Sequence, residues 1–210
     1  MDQAGMDDHA GIQDQAGTAV RPTGRPATID PDEVAGTALR LFAERGYEQT
    51  SMEDIAREAG IGRKSLYRYF SSKADLVWGG AEPVIEASAS VLGSAQASHG
   101  YGDDILSGLR ETAVAGAKVL PDLAVTRGRL RLIAEHPELM SRGYEALASQ
   151  RERARSHLLE RGVPEDTARY LCAAYIGATF EAWMQWAAGT EPDPAPYLVA
   201  AVGVLRVPEA

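Results

Sequence analysis

Between Gly62 and Lys73 the chain carries four cations, Arg63, Lys64, Arg68 and Lys73, with no acid among them, and the hydroxyls of Ser65, Tyr67 and Tyr69 are interspersed. Cations at that density neutralise phosphates. Ammonium, guanidinium and hydroxyl donors also reach phosphate oxygens and base edges. Leu66 and Phe70, four residues apart, share one helical face and can anchor the segment to a scaffold while the donors point away. The chemistry on offer is duplex DNA binding by one helix in the major groove. The competing reading is a basic helix face that meets only solvent.

Little else in the sequence offers chemistry. The four histidines, His9, His99, His136 and His157, are scattered, and no Ser/His/Asp set, paired carboxylates or metal-ligand spacing stands out. No catalytic residue, metal or cofactor is therefore expected. His136, before Pro137, reads as a cation at a helix end. Cys172 has no second cysteine to pair with, which fits a reduced, cytoplasmic compartment. The longest strongly apolar run, Tyr197 to Leu205, falls far short of the roughly 20 residues a membrane helix needs, and no secretion-type leader is recognisable, so no membrane partner is expected.

A reading helix needs elements that hold it, and the preceding sequence provides them. Asp30-Pro31-Asp32-Glu33 combines an N-cap, a proline at the first helical position and two acids in the first turn. Val34, Ala38, Leu41 and Phe42 then recur at helical spacing until Arg45-Gly46, which predicts a helix over 31–45. Thr50-Ser51-Met52-Glu53 matches a capping box with Thr50 as cap, opening a short helix through Ile55, Ala56 and Ala59 that Gly60 ends. The glycine turn Gly60-Ile61-Gly62 leads into a third helix over 63–70, and Ser71 or Ser72 caps a fourth near Lys73. Two short helices joined by a tight glycine turn and propped by a longer one describe a helix-turn-helix.

Further helices are predicted at 73–97 with a kink at Pro83, and at 103–119, 124–135, 137–161, 164–188 and 194–206. Nothing alternates long enough to suggest a strand. The expected fold is all-α with about nine helices: a tail over 1–24 too polar to order itself, a helix-turn-helix domain over 25–72, and a second helical domain over 73–210.

The net charge of −9 and pI near 5.0 argue against a protein that coats nucleic acid. The charge is unevenly placed. Residues 1–20 hold four acids and no Lys or Arg, and residues 21–80 balance to zero. Promiscuous coating is excluded, while specific binding through the Arg63 to Lys73 segment remains open.

Arg25-Pro26, Leu39-x-Leu41-Phe42-x-x-x-Gly46-Tyr47, Thr50-Ser51-x-x-Asp54-Ile55-Ala56-x-x-Ala59-Gly60 and Leu66-Tyr67-x-Tyr69-Phe70-x-x-Lys73-x-x-Leu76 together resemble the DNA-binding domain of the TetR family of bacterial transcriptional repressors. The resemblance covers about 50 residues. It implies that Lys64 and Ser65 face bases, that Tyr67 and Tyr69 contact backbone or bases, and that Lys73 holds a phosphate; Arg63 remains a DNA-binding candidate from the charge cluster alone. It further implies that Thr50 and Ser51 offer donors to another phosphate and that Arg25, with Arg21, belongs to an arm reaching towards DNA. The partner would be a palindromic double-stranded operator, bound by a homodimer and released by a small-molecule effector.

Beyond the first domain, the stretch Tyr69 to Gly79 and the later Arg129-Leu130-Arg131-Leu132-Ile133-x-x-x-Pro137-x-Leu139 are similar to the subgroup typified by the mycofactocin-system regulator, which implies an acyl-CoA-like or other hydrophobic anionic effector. Candidate pocket residues are Trp78, Tyr144, Phe180, Trp183, Met184 and Trp186 as walls, with Arg127 and Arg131 as cations; plain core packing of the aromatic residues and a solvated surface charge are the alternatives. Arg129 points about 200° away from each of its arginine neighbours and cannot join them. Candidate dimer contacts are Cys172, Ile176 and Thr179 on the penultimate helix and Leu198, Val202 and Leu205 on the last; internal packing of the same faces is the alternative. Activation instead of repression, or a helical binding protein or enzyme with a vestigial helix-turn-helix, are the other readings.

Overall fold

The computed structural model describes residues 29–79, 103–120 and 122–207. The predicted 1–24 tail, the arm residues Arg21 and Arg25, and the Pro83 kink lie outside them. The described residues form eleven helices and no strand: α1 (Pro31–Arg45), α2 (Met52–Glu58), α3 (Arg63–Tyr69), α4 (Lys73–Trp78), α5 (Asp103–Lys118), α6 (Leu123–Glu135), α7 (Pro137–Ser141), α8 (Gly143–Ala146), α9 (Ala148–Glu160), α10 (Glu165–Ala188) and α11 (Ala195–Gly203). The all-α expectation is met. No helix among the described residues is long and apolar enough to cross a membrane.

Helices α1 to α4 form a head. The Asp30 carboxylate accepts from the Asp32 amide at 2.9 Å and starts α1 where the sequence predicts. Helix α2 starts one residue later than the predicted capping box. Its cap is Ser51 and its reciprocal acid is Asp54. The reason lies in Thr50, which is buried and donates from Oγ1 to the Gly46 carbonyl at 2.8 Å. A buried hydroxyl must find an internal acceptor, and once Thr50 has turned inward the next hydroxyl caps the helix. Gly60, at φ +66°, takes the left-handed conformation that ends α2 and aims α3.

The head is not closed on itself. Leu41, Ile55, Leu66 and Leu76 are fully buried at its centre, and Ile133 of α6 with Leu139 of α7 completes the same cluster. Burying Leu66 alone contributes about 1.5–3 kcal/mol. The remaining helices form a body in which α10 packs against α6, α9 and α11, and α11 packs against α5.

The single helix predicted over 137–161 is instead three, α7, α8 and α9. The Leu139 carbonyl, which a continuous helix would pair with the Gly143 amide, accepts from the Trp78 indole N–H at 3.1 Å and from the Arg142 amide at 3.2 Å. A tertiary donor and a tightened turn thus replace the regular bond. The Trp78 ring also lies where a Cβ on Gly143 would meet it at 3.4 Å.

A second correction concerns the predicted dimer contacts. Cys172, Ile176, Thr179, Leu198, Val202 and Leu205 all lie inside the protomer's own core, each less than a tenth exposed. Both helices are apolar on more than one face, and the larger side chains bury more area by turning inward. Between the charged first turns and Gln185, the surface left on α10 includes Tyr170, Ala173, Ala174, Gly177 and Glu181, and on α11 it is Pro196, Val199, Ala200 and Gly203.

Candidate nucleic-acid interface

Helix α3 presents what the sequence asks of a reading helix. Leu66 is fully buried and Phe70, at its C-cap, nearly so, which fixes the roll of the helix. Lys64, Tyr67 and Arg68, at i, i+3 and i+4, therefore share an outward face, with Tyr67 41 % and Tyr69 42 % exposed. Lys64 has no hydrogen-bond or ion-pair partner among the described residues. The Arg68 guanidinium lies 5.0 Å over the Tyr69 ring and donates to its hydroxyl at 3.4 Å. Ser65 is half-buried on the flank of this face.

The other expected phosphate contacts are less free. Arg63 pairs with Glu53 of α2 at 2.8 Å, so one acid offsets part of the local charge. Lys73 donates from Nζ to the Tyr47 carbonyl at 2.6 Å and sits 4.2 Å from the Tyr47 ring, pinning the start of α4 to the α1–α2 turn. Ser51 donates from Oγ to Asp54 at 2.6 Å and from its amide at 3.1 Å. Those Ser51 hydrogen bonds, with the Arg57 pair adding to them, lower the Asp54 carboxyl to about 2, so a permanent negative charge stands at the α2 N-terminus. The Thr50 hydroxyl is spent internally. The outward donors left uncommitted on the described head are thus fewer than the sequence suggests and centre on Lys64, Tyr67, Arg68 and Tyr69.

The head joins the body through α4, at a contact the sequence reading did not find. Arg142, between α7 and α8, donates to Asp75 at 2.9 Å and to the Ser72 hydroxyl at 2.9 Å. Asp75 also accepts from the Ser71 and Ser72 amides, at 2.8 and 3.0 Å, and so caps α4 while holding the body. The sequence offers Ser71 or Ser72 as the cap of this helix, whereas nothing near Arg142 in sequence marks its partner. Burial pushes the Asp75 carboxyl up, but the Ser71 and Ser72 hydrogen bonds and the Arg142 charge outweigh it and leave the group below its ordinary 3.8. A depressed carboxyl stabilises the fold above its unfolded value and loses that contribution as pH falls through the folded one. Arg142→Ala is accordingly expected to cost about 1 kcal/mol near neutral pH, with the difference from the parent shrinking below pH ~4 in urea unfolding.

The pocket candidates separate into three places. Trp78 stacks on Phe180 with centroids 6.1 Å apart, Met184 packs against the same head core, and Trp78 lines a cavity of about 260 Å³ with Asp75, Gly79, Arg142, Glu145 and Ala146. Arg127 and Arg131 lie elsewhere, at the C-terminal end of α10. Arg131 donates to the Ala187 and Gly189 carbonyls at 2.7 and 3.1 Å, while Arg127 donates to the Glu191 carbonyl and lies 4.3 Å over the Trp186 ring. Arg131 thus satisfies backbone acceptors left open at a helix end, while the acceptor of Arg127 lies in the following loop and also accepts from Trp186. Trp183 meets Trp186 edge-on at 5.5 Å, close to those arginines. Tyr144 is 78 % exposed, stacked only by Arg151 at 3.7 Å. Arg129 turns away as its offset requires, and burial lowers its pKa against the opposing charge of Asp32.

Residues 36–77 match the family profile described as "Bacterial regulatory proteins, tetR family". The chain is 31 % identical over 136 residues to the "Putative mycofactocin biosynthesis transcriptional regulator MftR" of Mycobacterium tuberculosis, across 61 % of this chain and 64 % of that protein. It thus spans just under two thirds of that relative's length. It is 29 % identical over 175 residues to the "Uncharacterized HTH-type transcriptional regulator YezE" of Bacillus subtilis, across 75 % of this chain and 88 % of that protein. Among solved structures, FadR of Thermus thermophilus, a TetR-family transcriptional repressor in complex with lauroyl-CoA, superposes with a TM-score of 0.52 at 22 % identity, covering 86 % of this chain and 97 % of that one. At that identity the likeness concerns the fold.

Proposed function

We propose that this chain, which belongs to the TetR family of bacterial regulatory proteins, is a transcriptional repressor that binds a palindromic operator as a homodimer and leaves it when a hydrophobic anion enters the body. The observation that carries the reading is the outward face of α3, where Lys64, Tyr67 and Arg68 stand exposed on a helix rolled by buried Leu66. That face suits the major groove, with Arg63, Ser65 and Tyr69 beside it, while Lys73 and Thr50 brace the head behind it. One seven-residue helix makes few base contacts. Two related by a dyad read half-sites about 34–36 Å apart.

The exposed small residues Ala173, Ala174 and Gly177 of α10 and Ala200 and Gly203 of α11 support the dimer, because they allow close approach between copies. An acyl-thioester effector is supported by the aromatic pair Trp78 and Phe180 beside the Arg142 cavity and by the lauroyl-CoA bound to the T. thermophilus protein. Helix α4 carries the coupling. Arg142 and the Leu139 carbonyl hold it from the body while Lys73 ties it to the head, so an effector favouring another body arrangement alters the spacing of the reading helices. The affinity lost for DNA equals that lost for effector when DNA is bound.

Selection of bound duplexes from a random pool tests this reading. An inverted repeat with half-site centres about 10 base pairs apart, displaced by a long-chain acyl-CoA, is expected. A direct repeat or unselective recovery would contradict it.

A further inference from the structure

The α1–α2 turn of the head and the α6–α7 corner of the body bring three metal-type donors together from positions 48, 136 and 138. The His136 Nδ1 lies 3.6 Å from a Glu138 carboxylate oxygen and 4.0 Å from one of Glu48, and all three donor atoms fall within 4.8 Å of one another. No direct hydrogen bond joins His136 to either acid. The cations nearby are committed, Lys73 to the Tyr47 carbonyl and Arg142 to Asp75 and Ser72. Two carboxylates therefore converge on one imidazole.

The imidazole is also held in place. Its ring packs on Tyr47 at 4.7 Å, and Tyr47 is buried, braced edge-on by Phe42 at 5.0 Å and covered by Lys73. Zinc binds imidazole nitrogen and carboxylate oxygen at about 2.0–2.2 Å, which puts tetrahedral ligand atoms about 3.3–3.5 Å apart. The exposed Glu48 and Glu138 side chains reach that spacing by small rotamer adjustments, and a fourth position stays open to water.

We infer that His136, Glu48 and Glu138 form a site for a divalent transition cation of the zinc type, which clips the head to the body. The donor set of one nitrogen and two oxygens suits zinc, cobalt or manganese better than a thiolate-seeking ion. A cation there favours the head–body arrangement that brings the three donors together.

Isothermal titration of the full-length, untagged chain with Zn²⁺ alone tests the site. One ion per chain is expected, with affinity falling by at least about tenfold in Glu48→Gln and in His136→Ala. Glu48 is exposed and its substitution disturbs no packing, so that variant reads the ligand role even if His136→Ala fails to fold. Replacing the other three imidazoles, His9, His99 and His157, by glutamine should leave the titration unchanged. Unaltered zinc affinity in Glu48→Gln, loss of binding in the triple variant, or no stoichiometric binding by the parent would each overturn the inference.

Discussion

Replacing Gly177 by arginine is expected to give a chain that folds but does not dimerise, and to lower operator affinity about 10²–10⁴-fold as the two reading helices lose their link. A Cβ at Gly177 meets nothing within 4 Å, and the same holds for Gly203 on α11. An arginine at either position fits the protomer and, in a helix, exceeds glycine in propensity. Its cost therefore arises only where a second copy would lie. Light scattering behind size exclusion checks the mass, and far-UV circular dichroism checks that helicity is retained. A Gly177→Arg protein that stays dimeric would place the interface elsewhere.

Trp186→Ala is expected to destabilise the body by about 3–5 kcal/mol, read as a lower urea midpoint at unchanged slope. Trp186 is fully buried, donates from its indole to the Glu191 carbonyl at 2.8 Å, meets Trp183 and lies beneath the Arg127 guanidinium. Truncation removes the ring that fills the α6–α10 contact and leaves Arg127 without its packing partner. Trp186→Phe keeps most of the ring and loses the hydrogen bond, so it should cost much less, about 1 kcal/mol. Equal effects of the two would mean that the hydrogen bond, not the packing, holds this end of α10.

The head was legible because local rules converge there. Asp30 with Pro31, the glycine turn, and Leu66 four residues before Phe70 each speak for the same element, and the helices stand where those residues place them. The slip at Thr50 shows the limit of such rules: two adjacent hydroxyls both fit a cap, and only the tertiary acceptor at Gly46 decides which turns inward. In the body the sequence carried too little phase information. A helix as apolar as α10 shows two plausible inner faces, so Cys172 and Ile176 read equally well as interface or core. Arg127 and Arg131 looked like free cations because their acceptors are backbone carbonyls some sixty residues away, which carry no sequence signal. Arg142 and the Glu48–His136–Glu138 group were hidden for the same reason, being assembled across the chain.

Mobility-shift titration of Lys64→Ala and Tyr67→Ala against the parent, on a selected operator and at several salt concentrations, tests the DNA reading most directly. Each substitution leaves Leu66 and the head core untouched and is expected to cost about 1–3 kcal/mol of operator affinity. Parent affinity should fall steeply with salt, as phosphate neutralisation requires. Binding by both variants that matches the parent at every salt concentration would contradict the assignment of α3 as the reading helix.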